Sequence, residues 1–318
     1  MNIIMIIPLF LLISLFFAGY EFFLTQKKKE ILLLKKAFSY TINWNIEAVG
    51  LCAKHREYPE RVENIIDTIL HIFDNGNRPT VVLTEVNTSI ANNPRLLNGL
   101  KKLNLGVDFA TKGEHCAKPV EENPDGILFI YPKEKFVDLK VEVKPHAIAT
   151  HEEKGKMKTS GAPYIKISSP LGYFVALVHL KSKTNNTQVR FDQLVDGKIF
   201  TESGKVNSKL VGAFGDFNES LSNKDETLVL DTFRKAGMNN EMEHWDFSNM
   251  KESKVLKDEI YNNDSRKVNE QGMALTTTDW GFFRGGNITG RCAGYPSNPA
   301  QWYDMYYSDH RPVFIEIH

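Results

Sequence analysis

Several apolar runs in this chain end on residues that bind hard cations or move protons. Asn45 and Glu47 close the run at 39–46, Glu85 closes VVLTEV, and His179 closes YFVALVH. Asp216 and Asn218 follow LVGAFG, and Asp309 and His310 precede the last apolar run, 312–317. Carboxylate and amide oxygens are the ligands that Mg2+ takes, and such an ion neutralises phosphoryl oxygens and activates water. Histidine adds a mobile proton and a positive charge near neutral pH. Hydrolysis of a phosphate ester needs all of these at one place. Thiol chemistry is a poor fit. Cys52, Cys116 and Cys292 are far apart and odd in number, and His115 beside Cys116 has no further ligand at metal spacing.

Rigid elements must carry those residues to a common cleft. Runs rich in Val, Ile, Phe and Tyr, bounded by Gly, Pro, Asn or Asp, predict strands at 39–46, 80–86, 126–131, 136–143, 164–168, 173–180, 209–215 and 312–317. Val62, Ile65, Ile66, Ile69 and Leu70 recur at helical spacing and predict a helix over 59–73. Further helices are expected at 93–103, 187–200 and 225–236. Interleaved strands and helices make an α/β fold. The polar, weakly periodic stretch 239–272 reads as a surface excursion, and one domain is expected from 37 to 318.

Five of the segments occur in a telling order: TINWNIE, VVLTEV, VALVHLKS, GAFGDFN and SDHRPVFIEI. Each resembles a core motif of the endonuclease/exonuclease/phosphatase superfamily, the DNase I-like group, and together they reach across residues 41–317. The resemblance implies two packed mixed β-sheets flanked by helices, a four-layer α/β sandwich. It implies a metal-dependent phosphoric ester hydrolase using Mg2+, with Mn2+ serving as well. It also implies roles. Glu85 is similar to the principal metal carboxylate, with Asn45 and Glu47 beside it and Asp309 closing the site. Asp216 resembles the acid that orients or deprotonates the attacking water, and Asn218 the donor to a phosphoryl oxygen. His179 and His310 resemble the pair that contacts the scissile phosphate. Asp279, about 30 residues before SDH, stands where the family keeps the partner of the final histidine. Asp125 stands where the other histidine finds its acid.

Other readings stay open for some of these residues. Glu47 also suits a loop acid without a metal contact, and Asp125 a turn residue before Gly126. Arg190 and Gln193 either face solvent or reach a phosphate. Tyr295, Trp302, Tyr303, Tyr306 and Tyr307 could stack on a base or ring, or fill core positions. The expected substrate is nucleic acid, cut as by a nuclease. The alternative is a phospholipid or inositol phosphate at a membrane, although the tryptophan-and-cysteine signature of inositol phosphatases is missing around TTTDWGFFRGG. A non-catalytic binding module is the third class, and the full set of polar site residues argues against it. A monomer is expected.

Charge and the N-terminus bear on that choice. Of 318 residues 39 are Lys or Arg and 39 are Asp or Glu, so no net basic field draws the protein onto nucleic acid. Met1 to Tyr20 contains no charged side chain, and about 20 apolar residues suffice to span a bilayer. Lysines follow the run at 27–29, 35 and 36, while a basic start and small residues before a cleavage point are missing. Residues 1–20 therefore read as a transmembrane anchor, 21–36 as a juxtamembrane linker, and the protein as membrane-anchored. Secretion after signal cleavage is the alternative.

Overall fold

A computed structural model describes residues 3–46, 58–74, 78–111, 126–153, 155–181, 187–219, 227–239, 278–286, 288–292, 310 and 312–318, with backbone alone for 3–13. Two six-stranded mixed sheets make up its centre. In the first, β1 (Tyr40–Asn45) runs parallel to β2 (Thr80–Val86), which is antiparallel to β4 (Gly126–Pro132). β3 (Leu105–Ala110) pairs on the far side of β4, while β12 (Val313–Ile317) and β11 (Ile288–Cys292) extend the sheet beyond β1. In the second, β5 (Lys140–Glu153), β6 (Lys156–Ser168) and β7 (Phe174–His179) form a meander, and β7 runs parallel to β8 (Leu210–Asp216). β10 (Asp279–Arg284) and the short β9 (Met238–Asn239) complete it.

Each sheet thus contains one parallel pair, β1–β2 and β7–β8, and those four strands are buried almost throughout because both faces are covered. Side chains alternate between the faces. On β2, Val82 joins the cluster shared with Leu177, Ala213 and Phe214 of the second sheet, while Val81 and Leu83 join Ile65, Ile66 and Ile69 of α2 (Tyr58–Asp74). α3 (Thr88–Ala91) is a single turn after β2, and α4 (Pro94–Lys102) packs on that outer face through Leu96 and Leu100. α5 (Thr187–Asp196) and α6 (Leu228–Lys235) pack with the second sheet through Leu194, Val229, Leu230 and Phe233. Two mixed sheets with helices on them agree with the expected α/β sandwich.

The N-terminal expectation needs correcting. Among the described residues no helix is long and apolar enough to cross a membrane, so the anchored location does not hold. Helix α1 runs unbroken from Ile3 to Phe38, through the stretch expected as a linker. From Glu21 onward it is interrupted by Lys27, Lys28, Lys29, Glu30, Lys35 and Lys36. Its last turns belong to the domain: Leu34, Ala37 and Phe38 are fully buried in the core between the sheets. Polar contacts hold the same end. Leu171 N–H donates to Glu30 Oε2 at 2.9 Å, and Lys35 Nζ to the His318 carbonyl at 2.7 Å.

Elsewhere the strand expected at 136–143 starts four residues later, at Lys140, because Lys133–Lys135 form a 3-10 turn and Phe136 drops into the core. β3, β10 and β11 had no strong sequence signal. The surface excursion expected at 239–272 lies outside the described residues beyond Asn239.

Candidate active site

The second sheet presents three of the expected residues as one row. His179, the last residue of β7, is paired with Asp216 at the end of β8, and Asp216 is paired with Asp279 at the start of β10. Neighbours in register on adjacent strands project to the same face, so sheet geometry alone gathers an imidazole and two carboxylates. One glycine makes the approach between β7 and β8 possible. Gly215 has φ +139°, and a Cβ there would lie 1.9 Å from the Val178 carbonyl oxygen. No L-residue with a side chain fits that position.

The first sheet supplies Asn45 and Glu85. Asn45 is paired with Thr84 across the parallel strands, and the register of β2 against β4 then shifts between Thr84 and Val86. Glu85 is the residue left over. It sits in the left-handed region at φ 54°, a conformation that costs a non-glycine residue about 1 kcal/mol or more. A bulge of this kind re-aims one side chain, and here it turns a carboxylate toward the neighbouring strand end. Gly126 permits it, since a Cβ there would stand 2.5 Å from the Val86 carbonyl oxygen.

One amide links the two sheets here. Asn45 Nδ2 donates to Glu85 Oε1 and to Asp216 Oδ2, each at 3.0 Å. His179 Nε2 lies 3.9 Å from each of those oxygens. All four side chains are buried. Neither ring nitrogen of His179 has a hydrogen-bond partner among the described residues. Asp216 is held from its other side as well, its Oδ1 accepting the Asn218 N–H at 2.8 Å. Asn218, at φ 52°, donates Nδ2 to the Leu180 carbonyl at 2.9 Å. Asn45, expected among the metal residues, gives its Nδ2 hydrogens to both carboxylates, and its amide oxygen is the atom that the metal expectation concerns.

His310 and Asp279 form a second pair beside the first. His310 Nδ1 is 2.6 Å from Asp279 Oδ2, both fully buried. Trp44 Nε1 donates to the His310 carbonyl at 3.1 Å, which ties the backbone there to β1. Two groups of ligating atoms result, Glu85 with His179 and Asp216, and Asp216 with Asp279 and His310, each group within 4.8 Å. Carboxylates this close in a low-dielectric interior repel, and a shared cation or proton relieves them. Oxygen-rich donors favour a hard divalent ion, and His179 is the one nitrogen in the first group.

Of the expected site residues, the structure brings together Asn45, Glu85, His179, Asp216, Asn218, Asp279 and His310. Glu47, Asp125 and Asp309 lie outside the described residues, as do the aromatics from Tyr295 to Tyr307. Arg190 and Gln193 neither face solvent nor lie open to a ligand; both are fully buried. Sequence reasoning passed over Glu219, three residues beyond Asp216, which is almost wholly buried and bonded on every side. Burial pushes its carboxyl above the usual range, against hydrogen bonds from Thr187, Leu230 and Arg190 and the Arg190 charge, which pull it down. Its only sequence signal is its place directly after GDFN.

No family model and no curated relative matches the chain. Among solved structures it is similar to the human Nocturnin catalytic domain, at 15% identity and a TM-score of 0.45 over 88% of this chain and 94% of that one. It is also similar to a truncated Caenorhabditis elegans TDP2, at 17% identity and a TM-score of 0.46 over 88% and 96%. A third is an endonuclease/exonuclease/phosphatase family protein from Bacteroides thetaiotaomicron, at 11% identity and a TM-score of 0.45 over 87% and 94%. The superfamily that the five motifs resemble is thus present among the structural neighbours. These likenesses are distant, and the chemistry rests on the side chains.

Proposed function

We propose that this protein is a Mg2+-dependent phosphoesterase and, within that class, a phosphodiesterase acting on nucleic acid. One observation carries the reading: Glu85 and Asp216, from different sheets, share the Asn45 amide with His179 Nε2 3.9 Å from both. Buried carboxylates so close together fit a hard divalent cation. Glu85 would hold it, with Asn45, Glu47 and Asp309 completing the set, and Mn2+ would serve in place of Mg2+. The ion supplies charge neutralisation at the phosphoryl oxygens.

The protein's own groups do the rest. Asp216, fixed by Asn45 and by the Asn218 N–H, orients a water and takes its proton. Asn218 has a second amide hydrogen beyond the one given to Leu180, and it donates that one to a phosphoryl oxygen. His310, held through Nδ1 by Asp279, meets the phosphate or the departing oxygen with its imidazole. His179 contacts the same phosphate, and the resemblance implies Asp125 as its orienting acid.

Nucleic acid is preferred because one of the two supports of the lipid alternative, the membrane anchor, does not hold, while the other, zero net charge, stands. Zero net charge implies modest affinity, so activity should fall steeply between about 50 and 200 mM salt. The test is a substrate panel with the full chain and Mg2+: supercoiled plasmid, single-stranded RNA, inositol phosphates and phosphatidylcholine vesicles. Nicking of the plasmid or cutting of the RNA is the expected result. Release of phosphate or phosphocholine with both polymers intact would assign the alternative, and no turnover on any substrate would overturn the reading.

A further inference from the structure

The segments leaving β7 and β8 carry the water-activating acid and one of the phosphate-contacting histidines, and a charged pair behind them ties the two together. Glu219 Oε1 accepts Arg190 Nε at 3.3 Å and the Thr187 hydroxyl. Its Oε2 accepts the N–H groups of Val229 and Leu230, at 2.9 and 3.2 Å, in the first turn of α6. The Glu219 carbonyl accepts Trp280 Nε1 at 2.8 Å, beside Asp279. Arg190 reaches the other way, its Nη1 donating to the Lys181 carbonyl at 3.2 Å. Gln193, on the same helix, accepts the Lys181 N–H at 3.1 Å through Oε1 and donates Nε2 to the Ser160 carbonyl at 3.3 Å.

A shorter link runs in parallel on the site side. Leu180 N–H donates to the Asp216 carbonyl at 2.9 Å, and Asn218 Nδ2 donates to the Leu180 carbonyl. Residues 179–181 and 216–219 are therefore cross-braced from both sides. Burying a guanidinium and a carboxylate is expensive, and apolar residues of the same volume would hold two helices together as well or better. What apolar residues cannot supply is direction. The forked donors of Arg190 fix a loop carbonyl and a carboxylate at once, and Glu219 fixes the loop after Asp216 to α5 and α6.

We infer that Arg190 and Glu219 are positioning residues that hold His179 and Asp216 at their working separation. Neither touches the reacting atoms. The inference rests on the phosphoesterase reading of the site, and the test separates the two. Arg190→Lys keeps the charge but not the fork, and Glu219→Gln keeps the shape but not the charge. In each, kcat is expected to fall about tenfold or more with KM within about twofold, while cooperative unfolding is retained. Deuterium uptake in the peptide containing Leu180 and Lys181 should quicken about tenfold, with β4 unchanged. If either variant fails to fold, Gln193→Met removes the acceptor for Lys181 N–H and is judged by the same two criteria. Unchanged kcat together with unchanged uptake at Lys181 would overturn the inference and leave the site reading intact. A wild-type chain inert toward every phosphoester would overturn the site reading, and uptake at Lys181 would still decide the brace.

Discussion

Asp279 Oδ2 lies 2.6 Å from His310 Nδ1, and both side chains are closed off from solvent. Asp279 opens β10, whereas His310 stands three residues before β12 in the other sheet, so the contact joins the two sheets at the site. A carboxylate against Nδ1–H fixes the tautomer and the plane of the ring. Asp279→Asn preserves size and removes the charge, and kcat should fall about 10²-fold with little change in KM or folding. Steady-state kinetics on any substrate that is turned over decides this. Activity within a few-fold of wild type would mean that His310 needs no orienting acid.

The last turn of α1 should behave as core. Phe38 is fully buried, stacked on Phe214 with centroids 5.3 Å apart and edge-on to Phe136 at 5.6 Å. Phe38→Ala is expected to lower the unfolding free energy by about 3–5 kcal/mol in urea denaturation. A loss below about 1 kcal/mol would indicate that α1 is only loosely attached.

Gly215→Ala places a Cβ 1.9 Å from the Val178 carbonyl oxygen at a φ of +139°. Both the clash and the backbone strain must be relieved by parting β7 from β8. A loss of about 3 kcal/mol or more is expected, together with loss of activity. Wild-type stability in this variant would contradict the pairing of His179 with Asp216.

Metal binding is testable apart from turnover. Trp44 and Trp280 are buried next to Asn45 and Asp279, so their fluorescence should report an ion in the cluster. Mn2+ titration followed by tryptophan emission should show binding in wild type, with an apparent Kd raised at least about tenfold in Glu85→Gln. Equal affinity in the two proteins would remove Glu85 from the ligand set.

Much of this was legible in the sequence because buried strands announce themselves. β2, β4, β7 and β8 are covered on both faces and appear as mainly apolar runs, β1 is buried although it carries Thr41 and Asn43, and β12 alternates through the exposed Glu316. Their polar last residues stand out by contrast, which is how Asn45, Glu85, His179 and Asp216 were found. β3 and β11 lie at an edge of the first sheet and alternate weakly, and β10 contains Gly281 between bulky neighbours. Arg190, Gln193 and Glu219 were illegible for a different reason. A polar residue on a helix or loop reads as solvated unless its partners are known, and theirs come from segments as far as 61 residues away. At the N-terminus hydropathy pointed outward, whereas Leu34 and Phe38 at the end of the same helix are buried between the sheets.

The most direct test of the central claim is the Mg2+-dependent rate of phosphodiester hydrolysis by wild type and by Asp216→Asn, with unfolding monitored in parallel. Asp216 is fully buried and accepts from both Asn45 and the Asn218 N–H, so Asn keeps one of those two bonds and the parallel unfolding measurement separates lost stability from lost catalysis. Wild-type turnover that EDTA abolishes and Mg2+ restores is expected, with a kcat lower by about 10²-fold or more in the variant. Full activity in EDTA, or an Asp216→Asn enzyme within a few-fold of wild type, would contradict it.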